Sequence, residues 1–69
     1  MNWMEVRVNG TEREVPDGAT VTELLGALGV PSRGVAVAVD GTVVARTDQD
    51  TKVVPDGADV EVLTAVQGG

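Results

Sequence analysis

The chain has 69 residues and a net charge of −6, and it contains neither Cys nor His. A chain of this length forms one domain with a small core, and the missing residues exclude disulfides, thiolate metal sites and the commonest general base. The negative net charge argues against nucleic acid as a partner. It fits a protein that binds basic protein surfaces, or one whose charge serves only to keep it in solution.

Alternating apolar and charged residues open the chain. Residues 4–8 follow this pattern, which is typical of a half-buried strand. Asn9-Gly10 comes next and predicts a type I′ hairpin turn, because both residues tolerate a positive φ. Residues 11–15 form the returning strand and are polar enough to lie near a sheet edge, and Pro-Asp-Gly at 16–18 predicts a turn.

A short helix is predicted over Val21–Leu28. Thr20 and Glu23 have the spacing of a capping box, in which each side chain binds the backbone N–H of the other residue. Apolar residues recur at helical spacing and form one stripe: Val21, Leu24, Leu25 and Leu28. Gly29 supplies a left-handed C-cap, and Pro31 prevents the helix from continuing.

The second half of the chain predicts strands and turns. Residues 35–39 alternate Val and Ala, and the small Ala face indicates the close approach of a neighbouring element. Asp40-Gly41 is a second hairpin turn that leads into a strand at 42–45. Residues 46–52 are expected to be a polar, solvated loop. Residues 59–66 form the last strand.

The order of elements is therefore hairpin, helix, hairpin, strand. A lone helix must cover one face of the sheet, and right-handed crossovers limit how the strands can join. The pattern predicts an α+β, β-grasp fold as in ubiquitin: a mixed sheet of four to five strands with one short helix on one face, and with the first and last strands as parallel neighbours in the middle. We expect a folded domain over residues 1–66 and a flexible C-terminal tail over residues 67–69.

The sequence contains no pattern typical of a catalytic or metal centre. Asp48-Gln49-Asp50 opens like a calcium loop, but the sixth position is Val53 rather than Gly and the twelfth is Asp59 rather than Glu. Ser32 has no His to activate it, and no phosphate-binding glycine motif occurs. We therefore expect a protein that is not an enzyme and binds no metal or cofactor.

The sequence ends in two glycines, Gly68 and Gly69. Without side chains, such an arm can pass through a narrow channel and present its carboxylate to the active site of another protein. In the last strand, one face carries Glu61, Leu63, Ala65 and Gln67. The other face carries Val60, Val62, Thr64 and Val66, and its Val residues should meet the helix. Leu63, Ala65 and Gln67 are therefore expected on the open face of the sheet, where an exposed Leu beside the tail predicts a docking patch. A single exposed Leu is also common on ordinary surfaces.

Three segments of the chain and its end form a recognisable series: residues 18–25 (GATVTELL), 34–41 (GVAVAVDG), 56–62 (DGADVEV) and the terminal Gly-Gly. In this order they resemble the ThiS family, the bacterial sulfur-carrier proteins of thiamine biosynthesis. The resemblance covers essentially the whole chain. No single motif is specific to this family, but the order and spacing of the motifs together with the Gly-Gly tail are specific to it. Gln49 departs from the family pattern, because many relatives carry Trp or a similarly large residue nearby, and we expect weaker loop packing there.

The resemblance implies a chemistry that needs no His or Cys on the carrier. An E1-like adenylating enzyme (ThiF-type) would use ATP to convert the Gly69 carboxylate into an acyl-adenylate. Sulfur from a cysteine desulfurase system would displace AMP and leave a thiocarboxylate, which thiazole synthase (ThiG-type) would consume while building the thiazole ring. The longest apolar run, Val35–Val39, is too short to span a bilayer, and the first residues lack signal-peptide features. We expect a cytoplasmic protein that is monomeric when free.

Two other functions fit the same sequence. One is another ubiquitin-like sulfur carrier, serving molybdopterin synthesis (MoaD-type), tRNA thiolation or cysteine synthesis, with the same tail chemistry. The short chain and the pattern at residues 20–25 favour ThiS over these. The other is a β-grasp interaction module whose Gly-Gly end is incidental, which would not support ATP–pyrophosphate exchange by an E1-like enzyme.

Overall fold

The computed structural model describes residues 2–31 and 34–64. Within them the chain forms five strands and one α-helix in the predicted order, and a 3₁₀ helix in the segment expected to be a loop. The elements are β1 (Trp3–Val8), β2 (Thr11–Pro16), α1 (Val21–Leu28), β3 (Val35–Val39), β4 (Thr42–Val44), the 3₁₀ helix (Arg46–Asp48) and β5 (Asp59–Thr64).

The strands make one mixed sheet in the order β2-β1-β5-β3-β4. β1 and β5 are parallel neighbours, with Arg7 opposite Asp59 and Val8 opposite Val60. β5 is antiparallel to β3, and the two hairpins place β2 and β4 at the edges. The central parallel pair and the edge position of β2 confirm the β-grasp arrangement that the sequence predicts.

Helix α1 begins and ends at the predicted residues because both of its caps form. The Thr20 hydroxyl accepts a hydrogen bond from the Glu23 N–H at 3.2 Å, and the Glu23 carboxylate accepts one from the Thr20 N–H at 2.9 Å. At the other end Gly29 has a φ of 73°, a left-handed conformation that strains residues with a Cβ atom. Its N–H donates to the carbonyls of Gly26 and Leu25, which closes the helix.

The core lies between α1 and one face of the sheet. Leu24 and Leu25 are fully buried, while Leu28 is half-buried at the margin. The helix stripe packs with inward-facing strand residues: Met4, Val6, Val15, Val37, Val39, Val60 and Val62. This confirms the predicted face of the helix and the predicted inward face of β5.

The Ala residues of β3 differ from expectation. Val35, Val37 and Val39 take the helix side, so that Ala36 and Ala38 lie on the opposite face, where Ala36 is exposed and Ala38 half-buried. In the part of the chain that the structure describes, no helix or strand covers this face. The small side chains therefore belong to an open surface, and the prediction that another element packs closely against them is wrong.

The loop after β4 is more ordered than expected. Its first residues form the 3₁₀ helix, and Gln49 that follows is only 3% exposed. The Gln49 carbonyl accepts a hydrogen bond from the Thr22 N–H at 3.1 Å, and the Thr22 hydroxyl donates to the Asp50 carboxylate at 2.6 Å. The loop is thus fastened to the first turn of α1. The expectation of a solvated loop with weak packing is wrong at Gln49.

Candidate functional site

The residues predicted to carry the chemistry lie at and beyond the end of β5. This strand runs past the end of β1, and its last residue, Thr64, pairs with Val35 at the start of β3. Gly69 and Gly68, and also Ala65 and Gln67, lie outside the described residues. The same holds for the boundary predicted between the domain and the tail. The described part of the site is therefore the end of β5 and the surface around it.

Both hairpin turns hold β5 through a side chain. In the β1–β2 turn, Asn9 Oδ1 accepts from the Val62 N–H at 2.9 Å, and Asn9 Nδ2 donates to the Val62 carbonyl at 3.0 Å. In the β3–β4 turn, Asp40 Oδ1 accepts from the Asp59 N–H at 2.9 Å. Asn9 and Asp40 both have a φ of 51°, which Asn and Asp tolerate better than most residues. Asp40 thus holds the start of β5, and Asn9 holds a point near its end.

One half of the open face of the sheet is mainly apolar, although Glu61 of β5 lies opposite Ala38 there. Leu63 is 68% exposed and Val43 is 74% exposed. Ala36 lies opposite Leu63, and Ala38 lies opposite Val43, so all four side chains share one face across three strands. They form the apolar patch, and they line a shallow groove. The predicted exposure of Leu63 is confirmed.

The other half of the same face is mainly acidic, and it also carries Trp3 of β1, which is 56% exposed. Glu5 of β1 lies directly opposite Glu14 of β2, and Arg7 lies between Glu12 and Asp59 of the neighbouring strands. Like charges directly opposite each other destabilise a sheet. The ion pair between Arg7 Nη2 and Glu12 Oε2, at 3.9 Å, is solvent-exposed and contributes little to stability. This acidic half therefore adds negative potential to the open face without stabilising the fold.

Several carboxylates elsewhere in the described chain accept structural hydrogen bonds. Asp56 accepts from the Glu5 N–H at 3.1 Å, Asp40 accepts from Asp59, and Glu23 caps the helix. Over residues 2–31 and 34–64 the acidic side chains form no cluster of three or more that could hold a metal ion. In the same residues no helix is long and apolar enough to cross a membrane.

Comparison with known proteins identifies the family. The model of the ThiS family matches residues 6–69. The chain belongs to the ThiS family. A crystal structure of the thiamine biosynthesis protein ThiS from Geobacter metallireducens is 39% identical, with a TM-score of 0.80, and the match covers 96% of this chain and 100% of that one. An NMR structure of a thiamine biosynthesis protein from the same organism is 43% identical, with a TM-score of 0.75, covering 96% of this chain and 88% of that one.

A third relative of this ThiS-family chain is a much longer protein that is named as an enzyme. The chain is 38% identical over 66 residues to a thiazole synthase from Paramagnetospirillum magneticum, and the match covers 96% of this chain. It spans only 20% of the length of that relative. A ThiS-like segment is thus part of a larger thiazole synthase. The family resemblance and the β-grasp fold predicted from the sequence are both confirmed.

Sequence reasoning missed two features of the site. Asn9 was interpreted only as a turn former, whereas its carboxamide also binds Val62, a residue far along the chain. The acidic half is not predicted as a surface, although the alternation at residues 4–8 places Glu5 and Arg7 on one face of that strand. The missing information in both cases was which strands become neighbours.

Proposed function

We propose that this ThiS-family chain is a sulfur carrier protein of thiamine biosynthesis, and that Gly69 carries the sulfur as a thiocarboxylate. The observation that carries the proposal is the family match over residues 6–69, which extends through the terminal Gly-Gly. The fold supports it, because the segment that ends in Gly69 follows directly from a central strand held by β3 and by Asn9.

The chemistry requires activation, because a free carboxylate is a poor electrophile. A carboxylate oxygen of Gly69 attacks the α-phosphorus of ATP in an E1-like adenylating enzyme, and pyrophosphate leaves. The outer sulfur of a persulfide made by a cysteine desulfurase system then attacks the acyl carbon, and AMP leaves. A thiol cleaves the resulting acyl disulfide, which leaves the thiocarboxylate on Gly69 and a disulfide on the sulfur donor. A side chain at Gly68 would obstruct a narrow channel to that active site. In this scheme the chain is the substrate of its partners and not a catalyst, and ATP binds to the adenylating enzyme.

Thiazole synthase is the proposed acceptor of the sulfur. The support for this partner is the longer relative named thiazole synthase, of which a segment 38% identical to this chain forms part. A carrier that lies in the same polypeptide as its acceptor stays at a high effective concentration near it. We infer that this chain docks on a thiazole synthase in the same way. A cytoplasmic location and a monomeric free state stay predictions from the sequence.

Docking is proposed through the open face of the sheet. Residues 67–69 span only about 10 Å when fully extended, so the domain must approach the partner's active site closely. Leu63 and the apolar patch lie beside the end of β5, and Ala65 and Gln67 would continue the Leu63 face. The acidic half of the same face favours a partner whose apolar contact surface is flanked by Lys or Arg.

We expect Leu63→Glu to weaken binding to both the adenylating enzyme and thiazole synthase by more than tenfold, because a charge would be buried in an apolar contact. Isothermal titration calorimetry measures both affinities. Val53→Glu is the matched control, since Val53 is 52% exposed and lies outside the five strands, and the charge change is the same. Equal losses for the two variants, or unchanged affinity of Leu63→Glu, would remove the patch from the docking surface.

We expect Glu14→Gln to slow association with the adenylating enzyme about two- to fivefold at low salt, because it weakens the field that steers a basic partner to the open face. Stopped-flow fluorescence measures the association rate, and the difference should vanish at high ionic strength. Asp48→Asn changes the net charge equally at an exposed residue of the 3₁₀ helix. If both variants slow association alike, net charge rather than the acidic half is responsible.

The function itself is tested by ATP–pyrophosphate exchange with the cognate adenylating enzyme, followed by thiazole formation with thiazole synthase. We expect exchange that depends on this chain, and sulfur transfer into the thiazole. Exchange without transfer to the thiazole would assign the chain to another sulfur-requiring pathway. No exchange at all would leave an interaction module that is not activated.

A further inference from the structure

One side chain covers the β1 side of β5 near its end. β1 and β5 pair directly only as far as Val8 and Val60, after which the chain turns away at Asn9. The Asn9 N–H donates to the Val60 carbonyl at 2.9 Å. Its carboxamide then binds both the N–H and the carbonyl of Val62, at 2.9 and 3.0 Å. The side chain takes the place that the next peptide group of a parallel strand would occupy.

The turn alone does not require this carboxamide. A type I′ turn accepts Asn, Asp or Gly at this position, and the equivalent residue of the other hairpin is Asp40 with the same φ of 51°. Val62 presents one donor and one acceptor to the β1 side, so a partner must both accept and donate. A carboxamide does both, whereas a carboxylate only accepts and a glycine has no side chain. The backbone of β5, and not the turn, therefore requires a carboxamide at Asn9.

We propose that Asn9 is a positioning residue for delivery of the C-terminal segment, and this rests on the proposed carrier function. Its carboxamide fixes β5 at Val62 and so sets the point from which Gly69 must reach the partner's active site. Without it, β3 alone holds the end of β5. More backbone must then be ordered when the carrier binds, which opposes binding. The bond-making step is unaffected, because Asn9 does not contact the reacting carboxylate.

The chain provides a matched pair of variants to test this. Asn9→Gly and Asp40→Gly each place Gly before an existing Gly, at the same φ, and each removes a side chain that holds β5. Asn9 acts near the end of β5 and Asp40 at its start. We expect Asn9→Gly to raise the KM of the carrier for the adenylating enzyme about five- to tenfold, with kcat within about twofold, as the loss of two hydrogen bonds predicts. Asp40→Gly should leave KM within about twofold.

Asn9→Asp separates the two hydrogen bonds. It keeps the acceptor for the Val62 N–H but lacks the donor to the Val62 carbonyl, so its KM should lie between those of the wild type and Asn9→Gly. Hydrogen exchange on the isolated carrier provides an independent measurement. The Val62 amide should lose protection in Asn9→Gly and keep it in Asp40→Gly.

The outcomes separate this inference from the proposed function. A wild-type chain that is never adenylated contradicts the proposed function, and the positioning role falls with it. If the wild-type chain is adenylated but KM rises equally in Asn9→Gly and Asp40→Gly, only the positioning role is overturned. Asn9 would then contribute to the stability of the fold and not to delivery of the C-terminal segment. Unchanged protection of the Val62 amide in Asn9→Gly overturns it as well.

Discussion

We expect deletion of Gly69 to abolish thiocarboxylate formation and to leave the folded domain intact. The shortened chain would place its carboxylate one residue, about 3.3–3.6 Å, short of the adenylating site. Reacting atoms must approach within about 3–3.5 Å, and a misplacement of about 1 Å already lowers rates by about 100-fold. One residue added after Gly69 should have the same effect, because the terminal carboxylate then lies beyond the site.

Intact-protein mass spectrometry measures this result after incubation with ATP, the cognate adenylating enzyme and a sulfur source. The wild-type product should have one oxygen replaced by sulfur, localised to the C-terminal peptide. A glycine added before Met1 controls for the change in length and should be loaded normally, and circular dichroism checks folding. Normal loading of the shortened chain would exclude Gly69 as the modified residue. A wild type that never acquires sulfur would favour the interaction module.

Leu25→Ala should lower the free energy of unfolding by about 2–5 kcal/mol, as for buried Leu generally. Leu25 has no exposed surface, and it packs between α1 and the sheet. Small domains have only about 5–15 kcal/mol of stability in total, so this loss is a large share of it. Urea unfolding followed by circular dichroism measures the change.

Leu28→Ala is the control for this prediction. The substitution removes the same atoms from the same helix. Because Leu28 is only half-buried, surrounding water can occupy the space left behind. Its loss should be less than half that of Leu25→Ala. Similar losses at both positions would mean that helix propensity rather than burial determines the effect. A loss below about 1 kcal/mol for Leu25→Ala would contradict its place in the core.

Much of the fold could be predicted because it depends on short-range chemistry. The bounds of α1 follow from Thr20, Glu23 and Gly29, which are all within a turn of the helix ends. The hairpins follow from Asn9-Gly10 and Asp40-Gly41, whose left-handed conformations are intrinsic to those residue types. The alternation in β5 was enough to separate Val62, which is buried, from Leu63, which is exposed.

What could not be predicted depends on contacts between distant segments. Val and Ala are both apolar, so alternation in β3 did not show that the Ala face lies open. Burial of Gln49 depends on the contact between its loop and the first turn of α1. The bonds from Asn9 to Val62 require β5 to lie beside β1, although the two residues are separated by most of the chain.

The central position of β5 also has a consequence for synthesis on the ribosome. The β1–β2 and β3–β4 hairpins meet in the sheet only through β5, which is the last described strand to be translated. Contacts of such large sequence separation form late in folding. A nascent chain that stops before Asp59 would leave the inner edges of β1 and β3 without a partner, a state open to aggregation and proteolysis. Incomplete chains would thus be removed by degradation, and only those translated through β5 would present a folded docking face.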